Sequence, residues 1–188
     1  FKIRGMNTET KVIKFKEGIT LESGNHLESF ELIVETYGQL NKSKSNGVLL
    51  CHAFSGNHHA AGKSEDGSIG WWDQLVGSDK AIDTDKYFVV CCNNLGGCSG
   101  SSGPTSINPQ TGKIYGKDFP QVSVLDWVNS QKMLSEKLGI NKWHLVIGGS
   151  LGGMQALQWS ITFPDSVNKA GILAIAAKSS TQNIALNE

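Results

Sequence analysis

With 188 residues, 17 basic against 17 acidic side chains and a formal net charge of zero, the chain is long enough to bury a sizeable core. It shows no charge excess that would mark a nucleic-acid or membrane-surface partner. No apolar run approaches the ~20 residues that cross a bilayer, and the opening Phe1-Lys2-Ile3-Arg4 has no apolar signal region, so a cytoplasmic protein without a membrane partner is expected. The cysteines, at 51, 91, 92 and 98, sit in or just after apolar runs, which predicts reduced, buried thiols. A zinc site from Cys91, Cys92, Cys98 and one of His52, His58 or His59 is the alternative; neighbouring strand residues point to opposite faces, and no metal is expected. Phe1 is not an initiator methionine, and the polar turn from Thr181 runs into a helix with no stop signal. Residues 1–188 are therefore expected to be a fragment of a longer chain.

In chain order, residues 11–16 alternate weakly. Phe30, Leu32 and Val34 alternate clearly with Glu31, Ile33 and Glu35 up to Tyr37-Gly38, which predicts an antiparallel start to a sheet. Residues 47–53 form a continuous apolar run, as in a strand covered on both faces, and lead into Phe54-Ser55-Gly56-Asn57-His58-His59. His52 at this strand end reads either as a catalytic base or as a brace that holds the following turn, and the brace is the stronger reading. His58 and His59 lie in a loop of small residues and read equally as solvated or functional. Trp71-Trp72 reads as packing rather than pocket lining.

A second buried strand over 87–92 is followed by the small-residue loop Asn93-Asn94-Leu95-Gly96-Gly97-Cys98, either a wall of a site beyond the strand ends or a free surface loop. Ser123-Val124-Leu125-Asp126 has the S-x-x-D pattern of a helix start. Val124, Val128, Leu134 and Leu138 give that helix an apolar face, and Gly139 closes it. After a strand over 143–147, Leu151, Met154, Leu157 and Ile161 recur at helical spacing up to Pro164, with a last buried strand over 170–176. Alternating helix and strand from residue 47 onward predicts an α/β protein with a mostly parallel sheet and helices on both faces.

Between strand and helix lies Gly148-Gly149-Ser150-Leu151-Gly152-Gly153. A strand reverses sharply into a helix only where the backbone visits unfavourable dihedrals and small neighbours leave room, and this G-x-S-x-G layout lifts a serine hydroxyl above the sheet edge. Ser150 is the candidate nucleophile. The backbone N–H of Leu151, at the helix start, and that of Phe54, with Ser55 second in line, are the candidate oxyanion donors. Ser55, Gly56, Asn94, Leu95 and Gly96 are candidate pocket walls. The alternative is a phosphate-binding or merely tight turn capped by Ser150; the lysine of a phosphate loop is missing.

Taken together, Glu35-Thr36-Tyr37-Gly38, His52-Ala53-Phe54-Ser55-Gly56, Gly70-Trp71-Trp72-Asp73, Asn94-Leu95-Gly96-Gly97-Cys98, Gly103-Pro104, Ser106-Ile107-Asn108-Pro109, Asp118-Phe119-Pro120, the Ser150 block through Ala156, and Gln182-Asn183-Ile184-Ala185 resemble the homoserine O-acyltransferases of the α/β-hydrolase fold. The resemblance implies transfer of an acyl group from acyl-CoA through an acyl-Ser150 intermediate to the hydroxyl of L-homoserine, in methionine biosynthesis. It implies no bound cofactor, with succinyl-CoA favoured over acetyl-CoA as co-substrate, and a homodimer formed through a helical lid. The family's catalytic Asp and His follow that lid. Here no histidine follows Ser150, and Arg4 is the sole arginine to meet a substrate carboxylate; the resemblance thus implies that residues 1–188 are the N-terminal portion of a single α/β-hydrolase domain, expected to be inactive alone. An esterase or thioesterase on the same scaffold, and a non-catalytic relative, are the rival readings.

Overall fold

The computed structural model of the chain describes residues 6–178 and 181. Six strands form the central sheet: β1 (Thr8–Phe15), β2 (Phe30–Tyr37), β3 (Gly47–Cys51), β4 (Phe88–Cys92), β5 (Leu145–Gly149) and β6 (Ala170–Leu173), in the spatial order β1-β2-β4-β3-β5-β6. β1 and β2 pair antiparallel, as does β2 with β4, whereas β4, β3, β5 and β6 run parallel to one another. The antiparallel start thus feeds a parallel sheet, as the sequence predicts. Among the described residues no helix is long and apolar enough to cross a membrane.

Period-two alternation sends neighbouring residues into two separate cores. On one face Leu32, Val34, Leu49, Val90, Cys92 and Val146 pack against helix α1 (Val124–Leu138) and helix α2 (Leu151–Thr162). On the other, Tyr37, Val48, Leu50, Val89 and Cys91 pack against Ala60, Ala61, Val76 and Ile82. Cys91 and Cys92 therefore face opposite cores, and burial pushes the Cys92 thiol up to about 12.

Two expectations are corrected here. Within the described residues both long helices lie on one face, and residues 52–87 contain no helix: the second face is covered by turns and a two-residue parallel ladder of Val76–Gly77 with Ile82–Asp83. Side chains hold this segment away from helical geometry. The Tyr37 hydroxyl accepts the N–H groups of Ala60 (2.7 Å) and Ala61 (3.1 Å), the Asp73 carboxylate accepts that of Gly62 (2.7 Å), and the Trp71 indole donates to the Asn57 carbonyl (2.9 Å). These bonds give the backbone partners that a helix would otherwise provide. β6 is also shorter than expected and mostly exposed, because it pairs with β5 along one side as the outer strand of the described sheet.

α1 begins as the sequence predicts. Ser123 Oγ accepts the Asp126 N–H at 3.2 Å while Asp126 Oδ2 accepts the Ser123 N–H at 2.8 Å, and Gly139 ends the helix at φ 70°.

α2 departs from the predicted apolar stripe. Met154 and Ile161 are exposed, and the buried face is Gly152, Gly153, Gln155, Ala156 and Trp159. The cause is close approach: a Cβ built on Gly152 collides with the Cys51 carbonyl of β3, so the helix start rests on the strand end where a long aliphatic side chain has no room. Gly149 has nothing within 4 Å of such a Cβ. Gly152→Ala is therefore expected to destabilise the protein by ~1–3 kcal/mol through overpacking, whereas Gly149→Ala stays within ~0.5 kcal/mol of the parent. Urea unfolding of the two variants checks this contrast.

Candidate active site

Ser150 joins β5 to α2 with φ 55° and ψ −124°, a region that non-glycine residues rarely enter. The bend is held from both sides. The Ser150 N–H donates to the Leu173 carbonyl of β6 at 3.1 Å, and a Cβ on Gly148 would meet the Cys51 carbonyl at 2.6 Å. The Ser150 side chain is exposed and, although it occupies the N-cap position, caps no backbone N–H of the helix. Behind it the first amides of α2 point outward with the positive end of the helix dipole, and no acidic residue occupies the first turn.

The second predicted donor lies on a tight turn. Gly56 N–H donates to the Ala53 carbonyl at 2.9 Å, leaving Phe54 and Ser55 as the central residues, and the Phe54 side chain is 90% exposed. His52 fixes the direction of this turn. Ala53 O can only accept and the Asn94 N–H can only donate, so His52 carries its proton on Nδ1, donates it to Ala53 O at 2.8 Å, and accepts from Asn94 on Nε2 at 3.0 Å. C=O and N–H of one trans peptide point in opposite directions, so the two bonds that hold Ala53 O also aim the Phe54 N–H. Burial keeps the His52 pKa below its usual value, in the neutral form this arrangement requires. His52 thus stands as the brace of the sequence reading.

Phe54 and Leu151 line one cavity of about 310 Å³ together with His52, Asn94, Leu95 and Gly96. Ser55 and Gly56 do not line it; Gly56 packs instead on His52, whose Cβ lies 2.9 Å from where its own Cβ would stand. The remaining wall includes Phe119, Pro120 and Trp127, which the sequence reading of the pocket leaves out. For Trp127 a signal exists, since it shares the α1 face of Val124, Val128 and Leu134; its indole donates to the Leu95 carbonyl at 2.7 Å. The loop after β4 is tethered rather than free: Ser101 Oγ donates to the Asn93 carbonyl at 2.6 Å, and Ser102 Oγ accepts the Glu31 N–H at 2.8 Å. Apart from His52 and Asn94, the side chains that line the cavity are apolar, and the Asn94 carboxamide oxygen is buried without a partner among the described residues.

His58 and His59 are half-buried rather than solvated. His59 Nδ1 lies 3.0 Å from Glu35 Oε2 of β2, which ties the far end of the Phe54 loop to the sheet. Burial and the neighbouring His59 and His52 lower the His58 pKa. Among the described residues no cluster of three or more His, Cys, Asp or Glu side chains is arranged to hold a metal ion.

Residues 46–186 match the family described as alpha/beta hydrolase fold. The chain is similar to the homoserine O-succinyltransferase of Hahella chejuensis, with 59% identity over 180 residues that cover 95% of this chain and 47% of that protein. Among solved structures it resembles esterase E22, at 41% identity and a TM-score of 0.85 over 95% of this chain and 50% of the other. It also resembles homoserine O-acetyltransferase from Bacillus anthracis, at 40% identity and a TM-score of 0.81 over 87% of this chain and 45% of the other. The chain spans about half the length of the curated relatives it matches.

The His52 brace has a pH signature. Its folded pKa lies below 6.5, so on acidification the unfolded chain takes up the proton first. The stability that neutral His52 contributes is present above about pH 6.5 and is lost as the pH falls through the folded value. Replacing His52 by Gln should remove this part of the pH dependence. The stability difference between parent and variant, followed by urea unfolding from pH 8 to pH 5 (a range on the order of the histidine titration), should shrink on acidification.

Proposed function

The chain belongs to the alpha/beta hydrolase fold family, and on that premise we propose that the protein acts as a homoserine O-acyltransferase with Ser150 as its nucleophile. Ser150 Oγ attacks the thioester carbonyl of an acyl-CoA. An O–C bond forms, the C–S bond breaks, and the thiol of CoA leaves with the proton from the serine. The homoserine hydroxyl then attacks the acyl-serine, a new ester bond forms as the serine ester breaks, and the proton of that hydroxyl returns to Ser150. In both steps the negative charge of the tetrahedral intermediate falls to the Leu151 and Phe54 amides. The observation that carries the reading is Ser150 itself, exposed at φ 55° at a helix start and capping nothing, because strain of this kind persists only where surrounding structure imposes it.

The chain spans about half the length of its curated relatives, and the general base that takes the serine proton, with its carboxylate partner, is proposed to lie in the part of such a protein that this chain does not span. Succinyl is favoured as the acyl group, supported by the 59% identity to the Hahella chejuensis succinyltransferase against 40% to the Bacillus anthracis acetyltransferase. The protein is proposed to be cytoplasmic and homodimeric, acting on two small molecules without a bound cofactor. A second reading, ester or thioester hydrolysis, is supported by the 41% identity to esterase E22. The two differ in whether water reaches the acyl-serine before homoserine.

The test uses the full-length protein with succinyl-CoA or acetyl-CoA, with and without L-homoserine. CoA release that depends on homoserine and yields O-acylhomoserine is the expected result, and release indifferent to homoserine assigns the hydrolase. Ser150→Ala should lower transfer by at least ~10³-fold with unfolding behaviour unchanged.

A further inference from the structure

Two buried carboxamides link the helices to the strand that carries the Phe54 turn. Gln155 of α2 is 0% exposed and Gln131 of α1 is 1% exposed. The Trp159 indole donates to Gln131 Oε1 at 2.7 Å, Gln131 Nε2 donates to Gln155 Oε1 at 2.6 Å, and Gln155 Nε2 donates to the His52 carbonyl at 3.3 Å and reaches the Leu151 carbonyl at 3.5 Å. The polarity of this chain has a single solution. An indole N–H can only donate and a backbone carbonyl can only accept, so both amides are oriented from their two ends. Neither side chain retains an unpartnered polar atom. A buried polar chain satisfied throughout holds one arrangement, where aliphatic side chains of the same volume tolerate several.

The two segments that Gln155 touches are those that carry the candidate oxyanion donors. Leu151 opens α2, and His52 stands two residues before Phe54. Donors on separate segments stabilise one oxyanion only if both stay about 2.7–3.1 Å from the same point, so the offset between the end of β3 and the start of α2 has to be fixed. The Gly152 contact with the Cys51 carbonyl limits how closely the helix approaches. It does not by itself stop the helix from sliding or turning on the strand. We propose that Gln155 is the positioning residue of the oxyanion site, fixing the offset between the Leu151 and Phe54 amides, with Gln131 and Trp159 orienting its amide. This inference rests on the acyl-transfer reading above.

The experiment measures three quantities in the full-length protein: kcat and KM for acyl transfer to homoserine, kcat for hydrolysis of p-nitrophenyl acetate, and affinity for phenylboronic acid, which forms a tetrahedral adduct with an activated serine. Gln155→Met keeps the volume and removes both donations. It should lower kcat for both reactions by about 30-fold or more and weaken boronate affinity to a similar degree, with KM within about threefold of the parent. Val128→Ala, a substitution in the same core that touches neither carbonyl, should lower Tm yet keep kcat within about twofold. If Gln155→Met does not fold, Gln131→Leu decides: it leaves Gln155 in place without its orienting partner and should lower kcat by roughly 3- to 10-fold at unchanged KM. A folded Gln155→Met, or in its absence Gln131→Leu, that matches the parent or falls no further than Val128→Ala overturns the inference. Failure of the acyl-transfer reading shows differently, as a parent that hydrolyses the ester and binds boronate but transfers nothing to homoserine; the Gln155 comparison is then read from hydrolysis and boronate alone. A parent that neither hydrolyses nor binds overturns both.

Discussion

The contact between Gly152 and the Cys51 carbonyl sets the geometry on which the rest of the site depends. Because no Cβ fits there, the start of α2 rests directly on the end of β3, and the chain has to turn from β5 into the helix within one residue. That residue is Ser150, and its positive φ follows from the confined space rather than from any preference of serine. The strain, of order 1–3 kcal/mol, is offset by two packed cores and by the pairing of β5 on both sides. What results is a hydroxyl in solvent beside amides that no helix bond can satisfy.

Around this contact, polar side chains aim the backbone. His52 holds the Ala53 carbonyl and the Asn94 amide at once, joining the two loops that face the cavity, and the Glu35 pair with His59 and the Tyr37 hydroxyl hold the Phe54 loop at its far end. Each of these groups bonds to the protein's own backbone or side chains. They replace the order that a helix would give this segment, which explains how a loop of small residues can carry a directional hydrogen-bond donor.

Legibility in the sequence follows from how local the determining forces are. β2, β3 and β4 were readable because their apolar periods are set by burial on one or two faces, and α1 because Ser123, Asp126 and Gly139 carry cap chemistry that acts within four residues. Ser150 was readable for the same reason, as were the small neighbours that the turn requires. The helix-free course of 52–87 was not, since its partners Tyr37 and Asp73 act across 11 to 24 positions in the chain. On α2, apolar periodicity assigns the core to Met154 and Ile161, whereas close approach selects Gly152 and Ala156. Gln131 and Gln155 leave no trace in a periodicity reading, where a glutamine counts as surface.

In the proposed reaction Ser150 carries the acyl group between donor and acceptor. Its most direct measurement is the intact mass of full-length protein mixed with succinyl-CoA in the absence of homoserine, quenched in acid and then mapped by peptide fragmentation. One succinyl group per chain is expected, on the peptide containing Ser150, and it disappears when homoserine is added as O-succinylhomoserine forms. Acyl transfer to homoserine with no adduct at any mixing time, or an adduct confined to another side chain such as exposed Cys98, would contradict it.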